Sequence, residues 1–560
     1  MMSRFLAFAK KRELGVYLAV AAVGVCFFVP FLGSLNLLDW DEANFAEAAR
    51  EMVASHNYLQ VTINFEPFWE KPPLFFWLQV LAMKGFGITA FAARFVNALF
   101  GVLTLVTVYG IGRKLYDQLF GLVWGLAFLG SFLPQVYFKS GIIDPVFNYF
   151  IFIGLSLAAV GRCEPGRWRR WLWQALGGGA VGLAVLAKGP VALLVGALVL
   201  LAVEITERSR MRFSGADLVI FFGAAALVAS VFFGVETVAH GVKFAREFIQ
   251  YQWRLFGTRD AGHGGPIYYH LIVILIGCFP ASFFAIHSLA RRRGDPAPHQ
   301  LYQRMLITLF WVVLILFSIV KTKIVHYSSL AYFPVTYLAA LQIHGLIRGT
   351  CRWPRGLSVA LGAVAILIAT ALIIFPMILT HPHWLAPWLH DPFVSALLQN
   401  PVAWTGAEVG LGIGYLVAAG IALILIRRER FTAGISVLFG AGALCLQLFL
   451  ALFAPRIEQY TQGGPIDFYK SYAGQRVYVR ALFKSYADLF YAQKSPADPR
   501  ESHDLNWLLT GPIDRPAFFV ARIQQAPQFD QSPYQLTKLK SEYGFVYYRR
   551  DVPVASAPRN

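Results

Sequence analysis

Apolar runs of about 20 residues follow one another from residue 14 to residue 453, and no other feature limits the chain as much. A run of that length crosses the ~30 Å hydrocarbon core of a bilayer as one helix, and in lipid only helices and closed barrels satisfy the backbone. A barrel would alternate apolar and polar residues in segments of about ten, not run in solid apolar blocks. We place about thirteen spans, at 14–35, 91–112, 118–138, 142–160, 172–187, 189–205, 215–235, 267–290, 305–320, 325–345, 357–379, 404–426 and 433–453. Only 14% of residues are charged, which excludes an ordinary soluble enzyme. The net charge of +18 does not mark a nucleic-acid binder, because much of the excess sits in short loops between spans.

Those loops set the orientation. With the N-terminus inside, every cytoplasmic loop is basic, from Arg113 and Lys114 through Arg167, Arg169 and Arg170 to Arg427, Arg428 and Arg430. An odd number of spans then puts the C-terminus outside. Residues 1–454 form the membrane domain, with long outer segments at 36–90 and 236–266. Residues 455–560 read as a small soluble α/β domain, with short strands at 517–520 and 544–548. The five cysteines include no CxxC pair, and no Walker or GxGxxG motif is present.

The chemistry gathers on the outer side. After the first span, residues 41–53 form an amphipathic helix expected to lie at the membrane surface, with Phe45, Ala49 and Met52 on one stripe and Glu47, Arg50 and Glu51 on the other. Capping explains one of Asp39, Asp41 and Glu42, but not three acids in four positions. Glu70 and Lys71 precede Pro72 and Pro73 at the mouth of a second helix, 74–87, whose Phe75, Phe76, Trp77 and Leu78 are candidates for the wall of a lipid groove. Lys139, Asp144, Lys188, Arg254, His263, Lys321, Lys323, His326 and Tyr327 fall on the same side. Outer turns should be poor in Lys and Arg, so cations there are functional candidates, suited to a phosphate at the lipid headgroup level. A transporter would also carry intramembrane charge, but it would usually show two similar halves, and none are seen.

In order, Asp41-Glu42-x-x-Phe45-Ala46, Glu70-Lys71-Pro72, Asp144-Pro145, Lys188-Gly189 and Lys321-x-Lys323-x-x-x-Tyr327 resemble the lipid A 4-amino-4-deoxy-L-arabinose transferases. These are integral-membrane glycosyltransferases of the GT-C type, related to the protein O-mannosyltransferases. Asn44 and Pro73 depart from the closer pattern. The resemblance implies a polytopic α-helical GT-C fold and transfer of aminoarabinose from undecaprenyl phosphate to a lipid A phosphate, with inversion. It places the protein in the bacterial inner membrane, with the site and the C-terminal domain periplasmic, and links the product to polymyxin resistance. It also implies roles: Asp41, Lys71 and Asp144 as catalytic residues; Lys71, Lys188, Arg254 and Tyr327 on the donor phosphate; and Glu70 and His263 as ligands of a zinc or magnesium ion. An O-mannosyltransferase-like activity is the alternative within the same fold.

Overall fold

The computed structural model describes residues 2–206, 213–257, 264–289 and 296–553. The chain opens with α1 (Met2–Phe28), α2 (Asp41–Ser55), a hairpin of β1 (Thr62–Ile63) and β2 (Glu66–Pro67), α3 (Leu74–Phe86) and α4 (Ala90–Leu115). There follow α5 (Gln118–Leu129), α6 (Phe132–Tyr137), α7 (Asp144–Arg162), α8 (Arg167–Lys188), α9 (Val191–Thr206) and α10 (Gly215–Gly257). The second half brings α11 (Tyr269–Gly277), α12 (Ala281–Ile286), α13 (Ala297–Ile319), α14 (Tyr332–Ile347), α15 (Arg355–Thr380), α16 (Pro392–Leu397), α17 (Val409–Arg427) and α18 (Phe431–Leu452). Among the described residues, eight helices are long and apolar enough to cross a membrane, and four further apolar helices are shorter. The chain is a polytopic helical membrane protein.

The helices are packed so that distant polar residues meet at one end. α7 and α8 run antiparallel at close range, and α10 lies on α8. At Gly178 a Cβ would fall 1.9 Å from the Phe221 carbonyl oxygen of α10, so only glycine permits this approach. The pairing brings Asp144, which opens α7, level with Lys188, which closes α8.

After α18 the chain forms α19 (Ala454–Thr461), α20 (Gly463–Ser471), β3 (Tyr478–Ala481), α21 (Ala487–Ala492), β4 (Ala517–Arg522), β5 (Thr537–Glu542) and β6 (Phe545–Arg550). The sheet order is β3-β4-β6-β5, with β3 parallel to β4 and the other pairs antiparallel. Ala487, Phe490 and Tyr491 of α21 join the same hydrophobic core as α2.

Four expectations change. The segments at 118–138 and 267–290 are each two helices, the second pair broken at Phe279–Pro280, where proline offers no N–H to continue the ladder. The outer segment is helical as far as Gly257, not a loop there: α10 bends at Gly241 (φ 62°) and continues, because Phe244, Phe248 and Tyr251 recur on one buried face. α2 does not lie open on the membrane surface. Its polar stripe is buried beneath β1 and α21, with Glu47 and Glu51 each 0% exposed. There Arg50 forms a two-pronged pair with Glu47 at 2.6 and 2.7 Å, while Thr62 Oγ1 and the Phe65 N–H donate to Glu51. Burial, then the Glu47 carboxylate, push Glu51 up to about 8, so it stays protonated at neutral pH. Finally, Phe75 and Phe76 are core residues against Phe45, not the wall of a groove.

Candidate active site

The approach to α2 is clamped from two sides. From α4, Arg94 donates to the carbonyls of Leu32, Leu35 and Asn36 at 2.8–2.9 Å and to Glu42 at 3.0 and 2.6 Å. Glu42 also accepts the N–H of Leu38 at 2.8 Å and of Gly141 at 2.5 Å. Burial alone would raise the Glu42 carboxyl, but the Arg94 guanidinium and these N–H groups hold it below the usual range. From the tail, the Tyr491 hydroxyl accepts from Leu37 N, Gln462 donates to the Leu37 carbonyl, and Asp39 accepts the Tyr486 N–H at 2.9 Å. Trp40 sits between these clamps at φ 81°, with the Lys484 ammonium 4.1 Å from its ring centroid. The next residue is Asp41, whose side chain is 45% exposed into a cavity.

This cavity has a volume of about 770 Å³. It is lined by Asp41, Glu70, Lys71, Asp144, Lys188, Arg254 and Tyr327, so seven residues expected from the sequence share one space. His263, the eighth, lies outside the described residues. Lys188 Nζ donates to Asp144 Oδ1 at 2.5 Å and lies 5.0 Å from the Tyr327 ring centroid. Lys71 Nζ donates to the Tyr251 hydroxyl at 2.7 Å. Arg254 Nη2 lies 3.2 Å from Glu70 Oε1 and its guanidinium 5.2 Å from the Tyr251 ring. His326 Nε2 stands between two carboxylates, 3.7 Å from Asp41 and 3.8 Å from Asp144. Cations and carboxylates therefore alternate around one cavity, an arrangement that can take a phosphate on one side and a cationic or hydroxylated group on the other.

Tyr251, Lys484 and Tyr486 also line the cavity and carry no motif that singles them out. His326 stood among the outer polar residues without a role, although its place beside Tyr327 was the available signal. Two other outer cations are structural. Lys139 donates to the carbonyls of Phe28 and Pro30, at the end of α1. Lys323 donates to those of Phe317, Ser318 and Val320, where α13 ends. As for a metal, Glu70 is engaged by Arg254, and among the described residues no three His, Cys, Asp or Glu groups converge to hold an ion.

The dolichyl-phosphate-mannose-protein mannosyltransferase family matches residues 70–233. The undecaprenyl phosphate-alpha-4-amino-4-deoxy-L-arabinose arabinosyl transferase of Pectobacterium carotovorum is 27% identical over 414 residues, 70% of this chain and 72% of its own length. That of Pectobacterium atrosepticum is 26% identical over 342 residues, covering 59% and 60%. Among solved structures, ArnT from Cupriavidus metallidurans bound to undecaprenyl phosphate superposes with a TM-score of 0.75 at 18% identity, over 96% of this chain and 98% of that one. The chain is similar in sequence to the aminoarabinose transferases and shares the fold of the solved ArnT. The fold likeness runs through the tail as well as the membrane part, since it leaves only a few per cent of either chain unmatched.

Proposed function

We propose that this relative of the aminoarabinose transferases moves 4-amino-4-deoxy-L-arabinose from undecaprenyl phosphate to a phosphate of lipid A, at the periplasmic face of the bacterial inner membrane. The observation that carries the reading is the single cavity in which Lys71, Lys188 and Arg254 face Asp41 and Asp144. Cations of this kind suit a polyprenyl phosphate, whose negative charge grows as the sugar leaves, and preorganised positive groups are worth most where charge develops. Lys71, oriented by Tyr251, takes the leaving phosphate, with Arg254 beside it. Lys188 and Tyr327 flank the same group and tie it to Asp144. A phosphate acceptor, with a second pKa near 6, is already largely ionised at pH 7 and needs little help from a base. Asp41 then orients the acceptor or the cationic amino sugar, and His326 sets the spacing of Asp41 and Asp144. Attack from the face opposite the leaving phosphate gives inversion in one displacement. If a divalent ion binds, Glu70 and His263 are the residues we assign to it, and it would add positive charge near the donor phosphate.

Purified protein given polyprenyl-linked aminoarabinose and lipid A should add the mass of one pentosamine to lipid A, read by mass spectrometry. No added mass would overturn the acceptor. The match to the mannosyltransferase family favours one second reading, transfer to a protein hydroxyl, and a hexose added to peptide in the same assay would establish it.

The periplasmic side for the tail is part of this reading, and the basic loops expected on the inner side support it. A cysteine introduced at Ser495 should react with an impermeant maleimide in intact spheroplasts. Labelling only after lysis would reverse the topology.

A further inference from the structure

A second cavity, of about 490 Å³, lies wholly within the C-terminal residues and plays no part in the reaction described above. Its wall carries Arg476, Arg480, Lys494 and Arg515 against Asp488 and Asp498, four cations to two carboxylates. Two of the arginines are held in place. Arg515 pairs with Asp498 at 3.1 Å and lies 4.5 Å from the Tyr478 ring, and Arg480 pairs with Asp488 at 3.1 Å. Arg476, at the exposed start of the strand, makes no ion pair among the described residues. Lys494 is half-buried, donates to Asn64 and to the Ser502 carbonyl, and is drawn down to about 8 by burial. Asp488 Oδ1 and Ser502 Oγ, in residues each 1% exposed, have no hydrogen-bond partner. Buried polar atoms left unpaired are uncommon and costly.

We infer that this cavity is a second anion site, built for the anionic and hydroxyl-bearing sugar head of the acceptor. Excess positive charge calls for a phosphate or carboxylate. The unpaired carboxylate oxygen and serine hydroxyl call for hydroxyl or amide groups on the same ligand, which a saccharide has and a lipid tail lacks. Position supports the same conclusion. Arg480 borders this cavity, and Lys484, only four residues on, borders the reaction cavity. Four extended residues span at most about 14 Å, so an acceptor with more than one anionic group can engage both cavities. This inference rests on the proposed lipid acceptor for its biological ligand, though not for its chemistry.

The test uses the full chain in detergent, with glucosamine 6-phosphate as probe in titration calorimetry beside glucosamine and inorganic phosphate. Binding of the sugar phosphate, tighter than either fragment, is expected. Arg476→Glu should weaken it about tenfold, the loss of roughly one charge-assisted contact. Ser502→Ala should weaken it less, and Lys71→Ala should leave it intact. In transfer assays Arg476→Glu should raise KM for lipid A about tenfold and leave KM for the donor at its wild-type value. No binding, binding abolished by Lys71→Ala, binding indifferent to Arg476→Glu, or inorganic phosphate binding more tightly than the sugar phosphate would each overturn the site. If the wild type transfers nothing to lipid A, the proposed acceptor fails, and the calorimetry still decides whether the anion site exists.

Discussion

Lys71→Ala and Asp41→Asn should each cut transfer by about 10²–10³-fold, the usual cost of removing one preorganised charge from a transition state. Neither substitution should disturb the fold. Asp41 is nearly half exposed in the cavity, and Lys71 projects from the turn before α3 to the Tyr251 hydroxyl. The two losses should differ in kind. Lys71→Ala removes charge from the leaving phosphate, so kcat should fall at saturating donor. Asp41→Asn keeps the shape and removes only the charge, so its effect should be greatest where the amino sugar or acceptor is aligned. Single-turnover rates of pentosamine transfer, beside a monodispersity profile for each variant, would check this. Near-normal turnover in either variant would remove that residue from the site.

The second large effect concerns the buried pair that holds the approach to Asp41. Arg94→Ala should destabilise the protein by about 3–5 kcal/mol, because it leaves the Glu42 carboxylate buried without its counter-charge. It also frees three carbonyls and loosens the segment that delivers Asp41. Glu42→Met should be comparably harmful alone. Combining it with Arg94→Met should be milder than the sum of the two, since no lone charge then remains. The pair also fixes a pH dependence. Glu42 titrates below its unfolded value, so its contribution is complete above about pH 4.3 and is lost as pH falls through the folded value. Thermal unfolding in detergent from pH 7 down to about pH 2 would measure both effects. Equal midpoints for Arg94→Ala and wild type would contradict the assignment.

The site was legible in the sequence because membranes make charge expensive. Lys71, Lys188 and Arg254 break the topology rule, and the fold brings them together with Asp144. The same rule marked Lys139 and Lys323, which answer a different cost, the unpaired carbonyls where helices end. Charge alone cannot separate the two uses. Periodicity had a similar limit at α2. The stripe of Glu47, Arg50 and Glu51 predicts one polar face, but not whether that face meets water or the strand and helix that cover it. Tyr251 carries no such mark, since it sits on a helix where the sequence suggests an outer loop, and its hydroxyl meets Lys71 from 180 positions away. Lys484 and Tyr486 escaped because nothing local in a polar tail says that it returns more than 400 positions to meet Trp40 and Asp39.

That return sets a time at which the molecule becomes complete. Asp41 is made early, with the first helices, whereas Lys484 and Tyr486 are made after every long apolar helix among the described residues has been synthesised. Synthesis runs at about 5–20 residues per second, so the intervening 440-odd residues take on the order of half a minute or more. Throughout that interval the cavity lacks one wall, and the approach to α2 has its Arg94 clamp on residues 32–36 and 42 but not the tail's hold on Leu37 and Asp39. A chain that stops before residue 484 should therefore be inert, lacking that wall of the cavity.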